Sequence, residues 1–141
     1  MRKRTQAREC ALQILYQREM NLDETPQEIL DEYWKQNPDF DEEVRKFAGR
    51  LFLGTVDKLD EIDAVLQKAA DNWELSRMAI VDKNIMRFGI YELLFCDDIP
   101  PKVTINEAVN VAKKFSQEEA GKFVNGVLDK INHSEKPRHS A

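Results

Sequence analysis

Phe123, with Glu119 and Lys122 beside it, is the group of side chains whose chemistry stands out in this chain. On a helical wheel Ala120, Val124, Val127, Leu128 and Ile131 share one apolar arc, and Phe123 falls about a quarter turn from its centre. An aromatic ring at such a seam can take an unpaired nucleobase on its face while the neighbouring ammonium meets a phosphate. The same ring can instead pack beneath another helix, and spacing alone leaves both readings open. A second group lies near the start, where Arg4, Arg8, Leu12 and Tyr16 recur every four residues as a ridge that begins basic and ends aromatic. Cations at a helix N-terminus oppose its dipole, so this crowding either serves a polyanion or is simply solvated.

No set of residues here is spaced for catalysis. The chain lacks a glycine-rich phosphate loop, a nucleophile elbow and any metal-spaced cluster of His, Cys and carboxylates. Acid pairs such as Asp60-Glu61 and Asp97-Asp98 sit at predicted surfaces without a partner suited to proton transfer. Cys10 and Cys96 each fall inside an apolar pattern and read as small buried hydrophobes in a reducing compartment. His133 and His139 lie in a polar tail and are given no ligand role. These residues therefore offer no catalytic constellation, and no cofactor or metal is expected.

These side chains must be positioned by helices. With 141 residues, 42% of them hydrophobic and 33% charged, and only five glycines and five prolines, the composition fits one helical globular domain. No run approaches the roughly 18 apolar residues of a membrane span, and the basic N-terminus lacks the apolar stretch of a secretory signal, so a cytoplasmic protein is expected. The net charge of −5 is unevenly distributed. Residues 1–20 carry five basic side chains against two acids, and residues 21–43 carry nine acids against Lys35 alone. A polyanion would thus be held at one basic place on an otherwise anionic chain.

The first helix is expected over Thr5 to Asn21, burying Ala7, Cys10, Ala11, Ile14 and Leu15. Thr25-Pro26-Gln27-Glu28 forms a capping box with proline at the first helical position, so a short acidic helix should run to about Gln36. A third helix from Asp41 uses Val44, Phe47, Ala48, Leu51 and Phe52, with Gly54 marking a kink or break before a fourth that carries Leu59, Ile62, Leu66 and Trp73. Asn72 to Ala79 reads as a loop or single turn. Ile80 to Phe95 is apolar on nearly all sides and should be the central helix, with Asp82, Lys83, Arg87 and Glu92 on its polar strip. Thr104 with Glu107, and Ser116 with Glu119, offer capping boxes for two final helices. Gly121 would permit close helix approach, and Gly126 lies on the outer face.

Three stretches carry a family resemblance: RKRTQARECALQILYQ at the N-terminus, VDKNIMRFGIYELLF in the centre, and IPPKVTINEAVNVAKKF followed by GKFVNGVLDKI. Together they resemble the NusB family of transcription antitermination factors. The acidic segment from about Asn21 to Glu43 carries no family signal. The resemblance implies an all-α fold of about seven helices in two packed small bundles, without enzyme activity; residues 1–132 would form one RNA-binding domain, and the polar residues 133–141 read as a flexible tail. It also implies a function: binding the boxA sequence of single-stranded RNA from ribosomal RNA operons together with NusE, a ribosomal small-subunit protein, so that RNA polymerase keeps elongating. By matching motif, Arg2, Lys3, Arg4 and Arg8 would meet the RNA backbone. Glu119, Lys122 and Phe123 would meet RNA as well, and Tyr16 and Asp82 would meet NusE. Asp82 is shorter than the glutamate of some relatives. Some members self-associate, although no pattern here specifies a homodimer. A competing reading is an adaptor whose acidic segment and Tyr16 dock a basic partner without sequence-specific RNA binding.

Overall fold

A computed structural model of the chain describes residues 2–138. Among them are seven α-helices, one short 3-10 turn and no strand, which is the all-α architecture expected. The helices are α1 (Lys3–Met20), α2 (Pro26–Gln36), α3 (Glu42–Asp57), α4 (Leu59–Ala69), α5 (Ile80–Phe95), α6 (Pro101–Phe115) and α7 (Glu118–Ser134). They group into two compact units, one ending at Asp57 and one beginning at Lys58.

In the first unit α1, α2 and α3 pack on one another. Their buried faces carry Ala7, Cys10, Ala11, Ile14 and Leu15 from α1, Ile29, Leu30 and Tyr33 from α2, and Val44, Phe47, Ala48, Leu51 and Phe52 from α3. The capping box at Thr25 forms: its hydroxyl accepts from the Glu28 N–H at 3.2 Å and the Glu28 carboxylate accepts from the Thr25 N–H at 2.9 Å. That second bond holds the Glu28 carboxyl below its ordinary range. Gly54 does not break the helix. α3 runs on to Asp57 and the chain turns at Lys58, because a single glycine costs a helix only about 1 kcal/mol while buried neighbours Leu51, Phe52 and Thr55 hold it in place.

In the second unit α5 is buried from Asn84 to Phe95 and touches α4, α6 and α7. Two residues expected on its polar strip are inside the protein instead. Arg87 is 7% exposed and forks onto Asp63 of α4, both bonds 2.8 Å long, while its third nitrogen donates to Asn84 at 3.1 Å. Glu92 is fully buried and accepts from the Thr104 hydroxyl of α6 at 2.8 Å. Buried polar groups are stable when hydrogen-bonded, and here the partners come from neighbouring helices. Thr104 is accordingly no cap: α6 begins three residues earlier at Pro101, where the missing N–H of proline costs nothing. The second expected box also fails. Ser116 caps the end of α6 through its own N–H to Ala112, so the N-cap of α7 falls to Gln117.

The apolar arc of α7 is as expected, with Ala120, Val124, Val127, Leu128 and Ile131 all buried. A side chain at Gly121 would come within 3.2 Å of Lys113 on α6, which accounts for glycine at this close approach; Gly126 faces open space. The residues read as a tail are partly organised: α7 continues through Ser134, and Arg138 pairs with Glu61 at 2.9 Å. His139 lies outside the described residues.

Candidate nucleic-acid interface

The first unit gathers its cations around one ring. Phe47, from the buried face of α3, has the guanidinium carbons of Arg4, Arg8 and Arg50 at 4.3, 5.3 and 5.9 Å from its centroid. Each lies within the range in which a cation is attracted to an aromatic quadrupole. Arg8, expected on the solvent ridge, is only 2% exposed and lies in the interior of this cluster. The four-residue spacing does align it with Arg4, but the face it shares with Leu12 is turned inward, and Leu12 is buried too. Arg2, Lys3 and Arg4 are exposed.

Lys3 is engaged by the acidic segment. Its ammonium lies 2.9 Å from Asp41 and 3.5 Å from Glu43. The hydrogen bond and charge of Asp41 raise the Lys3 pKa, and the same bond holds the Asp41 carboxyl below its ordinary value. One role of the acidic stretch is thus to restrain a lysine of the basic arm. An open cavity of about 610 Å³ lies between α1 and α3, lined by Lys3, Arg4, Glu43, Lys46, Phe47 and Arg50. Sequence reasoning missed Lys46 and Arg50, although their four-residue spacing on α3 was available. Tyr16, further along α1, is 44% exposed, as a partner contact requires.

In the second unit Phe123 is half-buried, and exposed Lys122 precedes it. Its ring meets the edge of Trp73 at a centroid distance of 5.8 Å and an interplanar angle of 60°. The apolar series of the fourth helix would bury Trp73, yet α4 ends at Ala69 and Trp73 is 54% exposed. The Gln67 side chain explains the break, because its amide donates to the Trp73 carbonyl at 2.6 Å and accepts from the Leu75 N–H at 3.1 Å. These bonds satisfy backbone groups that a continuing helix would have paired. Lys130 of α7 donates to the Ala69 carbonyl at 3.2 Å and ties the same corner to the helix that carries Phe123.

A cavity of about 460 Å³ opens beside the aromatic pair, and Trp73, Arg77, Asp82, Glu119 and Phe123 are among the residues that line it. It brings together Phe123 and Glu119, expected at RNA, with Asp82, expected at a protein partner. One carboxylate oxygen of Asp82 is buried with no hydrogen-bond partner among the described residues, so it retains accepting capacity. Trp73 escapes sequence reasoning as a surface group because an apolar residue at helical spacing reads as core. Among the described residues no three His, Cys, Asp or Glu side chains gather as a metal site, and no helix is long and apolar enough to cross a membrane.

The arrangement offers what single-stranded RNA binding uses: cations to follow a phosphate chain and accessible rings for unstacked bases. Comparison with known proteins places the chain in a family. The family model described as NusB family matches residues 5–133. The transcription antitermination protein NusB of Thermodesulfovibrio yellowstonii is 45% identical over 141 aligned residues, which cover 94% of this chain and 93% of that protein. NusB of Myxococcus xanthus is 43% identical, with 93% and 95% covered. Among solved structures, NusB of T. maritima superposes with a TM-score of 0.85 at 37% identity, covering 95% of this chain and 93% of that one. A chain from a complex of the antitermination factors NusB and NusE with double-stranded RNA also scores 0.85, at 31% identity, with 96% and 99% covered.

Proposed function

The chain belongs to the NusB family, and on that premise we propose that it is a transcription antitermination factor that binds boxA RNA of ribosomal RNA operons together with NusE. It acts in the cytoplasm by binding alone, without catalysis or cofactor, and the helical part through residue 132 serves as one functional domain. In this reading the exposed cations Arg2, Lys3 and Arg4 attract the phosphate chain, and buried Arg8 acts from within by fixing Phe47 beneath Arg4. Lys122 meets a phosphate and Phe123 stacks a base, with Trp73 extending the aromatic surface. Glu119 lies in the same cavity as Phe123 and contacts the same RNA. Tyr16 and Asp82 contact NusE.

The observation that carries this reading is the accessible Trp73–Phe123 pair beside Lys122, in a chain similar throughout to the NusB of an RNA complex. The test is a titration of labelled boxA RNA and a scrambled RNA of equal length, each with and without NusE, at several salt concentrations. Wild type should prefer boxA, most clearly with NusE present. Because base stacking is worth roughly 1 to 3 kcal/mol, Phe123→Ala should weaken binding by about 5- to 150-fold while leaving the salt slope intact. Phe123→Tyr, which keeps the ring, should bind nearly as wild type. Equal affinity for boxA and scrambled RNA would favour the adaptor reading instead.

A further inference from the structure

We propose that α3 supplies a phosphate cradle: Lys46 and Arg50, acting with Arg4, bind the phosphodiester backbone of the RNA in the cavity above Phe47. This rests on the RNA-binding reading and deepens it, because neither α3 residue belongs to the N-terminal basic arm.

Four cations line this cavity against a single carboxylate, Glu43. Like charges held this close repel one another, and the acids at Asp41 and Glu43 both lie against Lys3. Summed over its own residues the lining is net positive, a charge that an anion entering the cavity would offset. The cluster is also built. Phe47 is 6% exposed and holds the guanidinium carbons of Arg4 and Arg50 on one ring at 4.3 and 5.9 Å, with Arg8 packed in at 5.3 Å. Attraction to a ring face restrains a planar guanidinium, so the arginines meet an incoming anion with less ordering still to do. Lys46, one turn before Arg50, adds an exposed ammonium.

A phosphodiester fits better than the other abundant anion, a carboxylate-bearing peptide. The cavity is open, at about 610 Å³, and lies at the start of α1, where exposed Arg2, Lys3 and Arg4 continue the positive surface along which a repeating phosphate chain can run. A backbone contact of this kind carries no sequence information, so it should act equally on boxA and on any other single strand.

The full-length chain should be titrated with boxA and with scrambled RNA at four or more salt concentrations, as wild type, Lys46→Gln, the double variant Lys46→Gln/Arg50→Gln, and Lys35→Gln as a control. Lys35 is an exposed cation of α2 that does not line the cavity. The double variant should bind both RNAs several-fold more weakly at low salt, and its log–log salt slope should be shallower by about 0.7 for each single-strand phosphate it no longer neutralises. Lys46→Gln, a change at a solvent-facing site, should show part of the effect with an unchanged melting curve, and Lys35→Gln should show none. A slope equal to wild type in both α3 variants overturns the cradle while leaving RNA binding by the family surface in place. Absence of salt-dependent binding in wild type itself overturns both readings. Displacement of RNA by poly-glutamate at equal charge concentration would overturn the assignment to phosphate.

Discussion

Replacing Asp63 by alanine strands a guanidinium inside the second unit. Arg87 reaches from α5 to α4 with two parallel 2.8 Å bonds to the Asp63 carboxylate, and its remaining nitrogen donates to Asn84. The Arg87 side chain is 9% exposed and that of Asp63 23%. Breaking a buried pair by deleting one partner costs about 3 to 5 kcal/mol, since the surviving charge loses its counter-ion without regaining its full hydration. Water can reach the Asp63 side of this pair, so the lower end, about 3 kcal/mol, is expected. At about 3 °C per kcal/mol for a chain of this size, the melting temperature should fall by about 10 °C. Urea unfolding followed by circular dichroism would measure the loss directly, as a lower midpoint with an unchanged m-value. The double variant Asp63→Leu/Arg87→Met should recover most of it, because two apolar groups of similar size remove the desolvation cost together with the attraction. A loss under about 1 kcal/mol for Asp63→Ala would refute the reasoning, for it would mean that water already solvates the guanidinium.

Two further outcomes follow from the site geometry. Gln67→Leu removes both bonds that shape the turn at Trp73, so RNA affinity should fall while Phe123 is untouched, and the Leu75 amide should exchange faster with solvent. Equal exchange in wild type and variant would discount the clamp. The Lys3–Asp41 pair should show in an NMR titration of the Asp41 carboxyl carbon. Its midpoint lies below the ordinary 3.8, so the pair is intact above that value and opens as pH falls through the lowered one; at the alkaline end it persists past the ordinary 10.5 of lysine and is lost as pH rises through the raised one. Lys3→Ala should return the Asp41 midpoint toward 3.8.

Local rules located several elements closely. The box at Thr25 and the helix from Pro26 to Gln36 depend on contacts three residues apart, and both form as the spacing requires. The helix from Ile80 to Phe95 matches in both bounds, because a segment apolar all round can be stable only when surrounded. The departures share a different cause. Polarity assigns Arg8, Arg87, Glu92 and Thr104 to outward faces or caps, and each is buried against a residue distant in the sequence or in contact with Phe47 from another helix. Trp73 departs in the opposite direction: its apolar character points to a core that its helix does not extend far enough to reach.

By itself, then, the amino-acid order determined the helical class, the apolar faces of α1, α5 and α7, the family likeness, and Phe123 at a boundary beside Lys122. The likeness rests on matched stretches of sequence and the others on periodicity and short-range spacing, all of which a chain carries without folding. Only the tertiary structure decided that Trp73 meets Phe123 at the rim of a cavity shared with Asp82, and that Lys46 and Arg50 join Arg4 around Phe47. Those groupings join residues from different helices, and which distant side chains satisfy a buried charge or flank a ring is settled by packing.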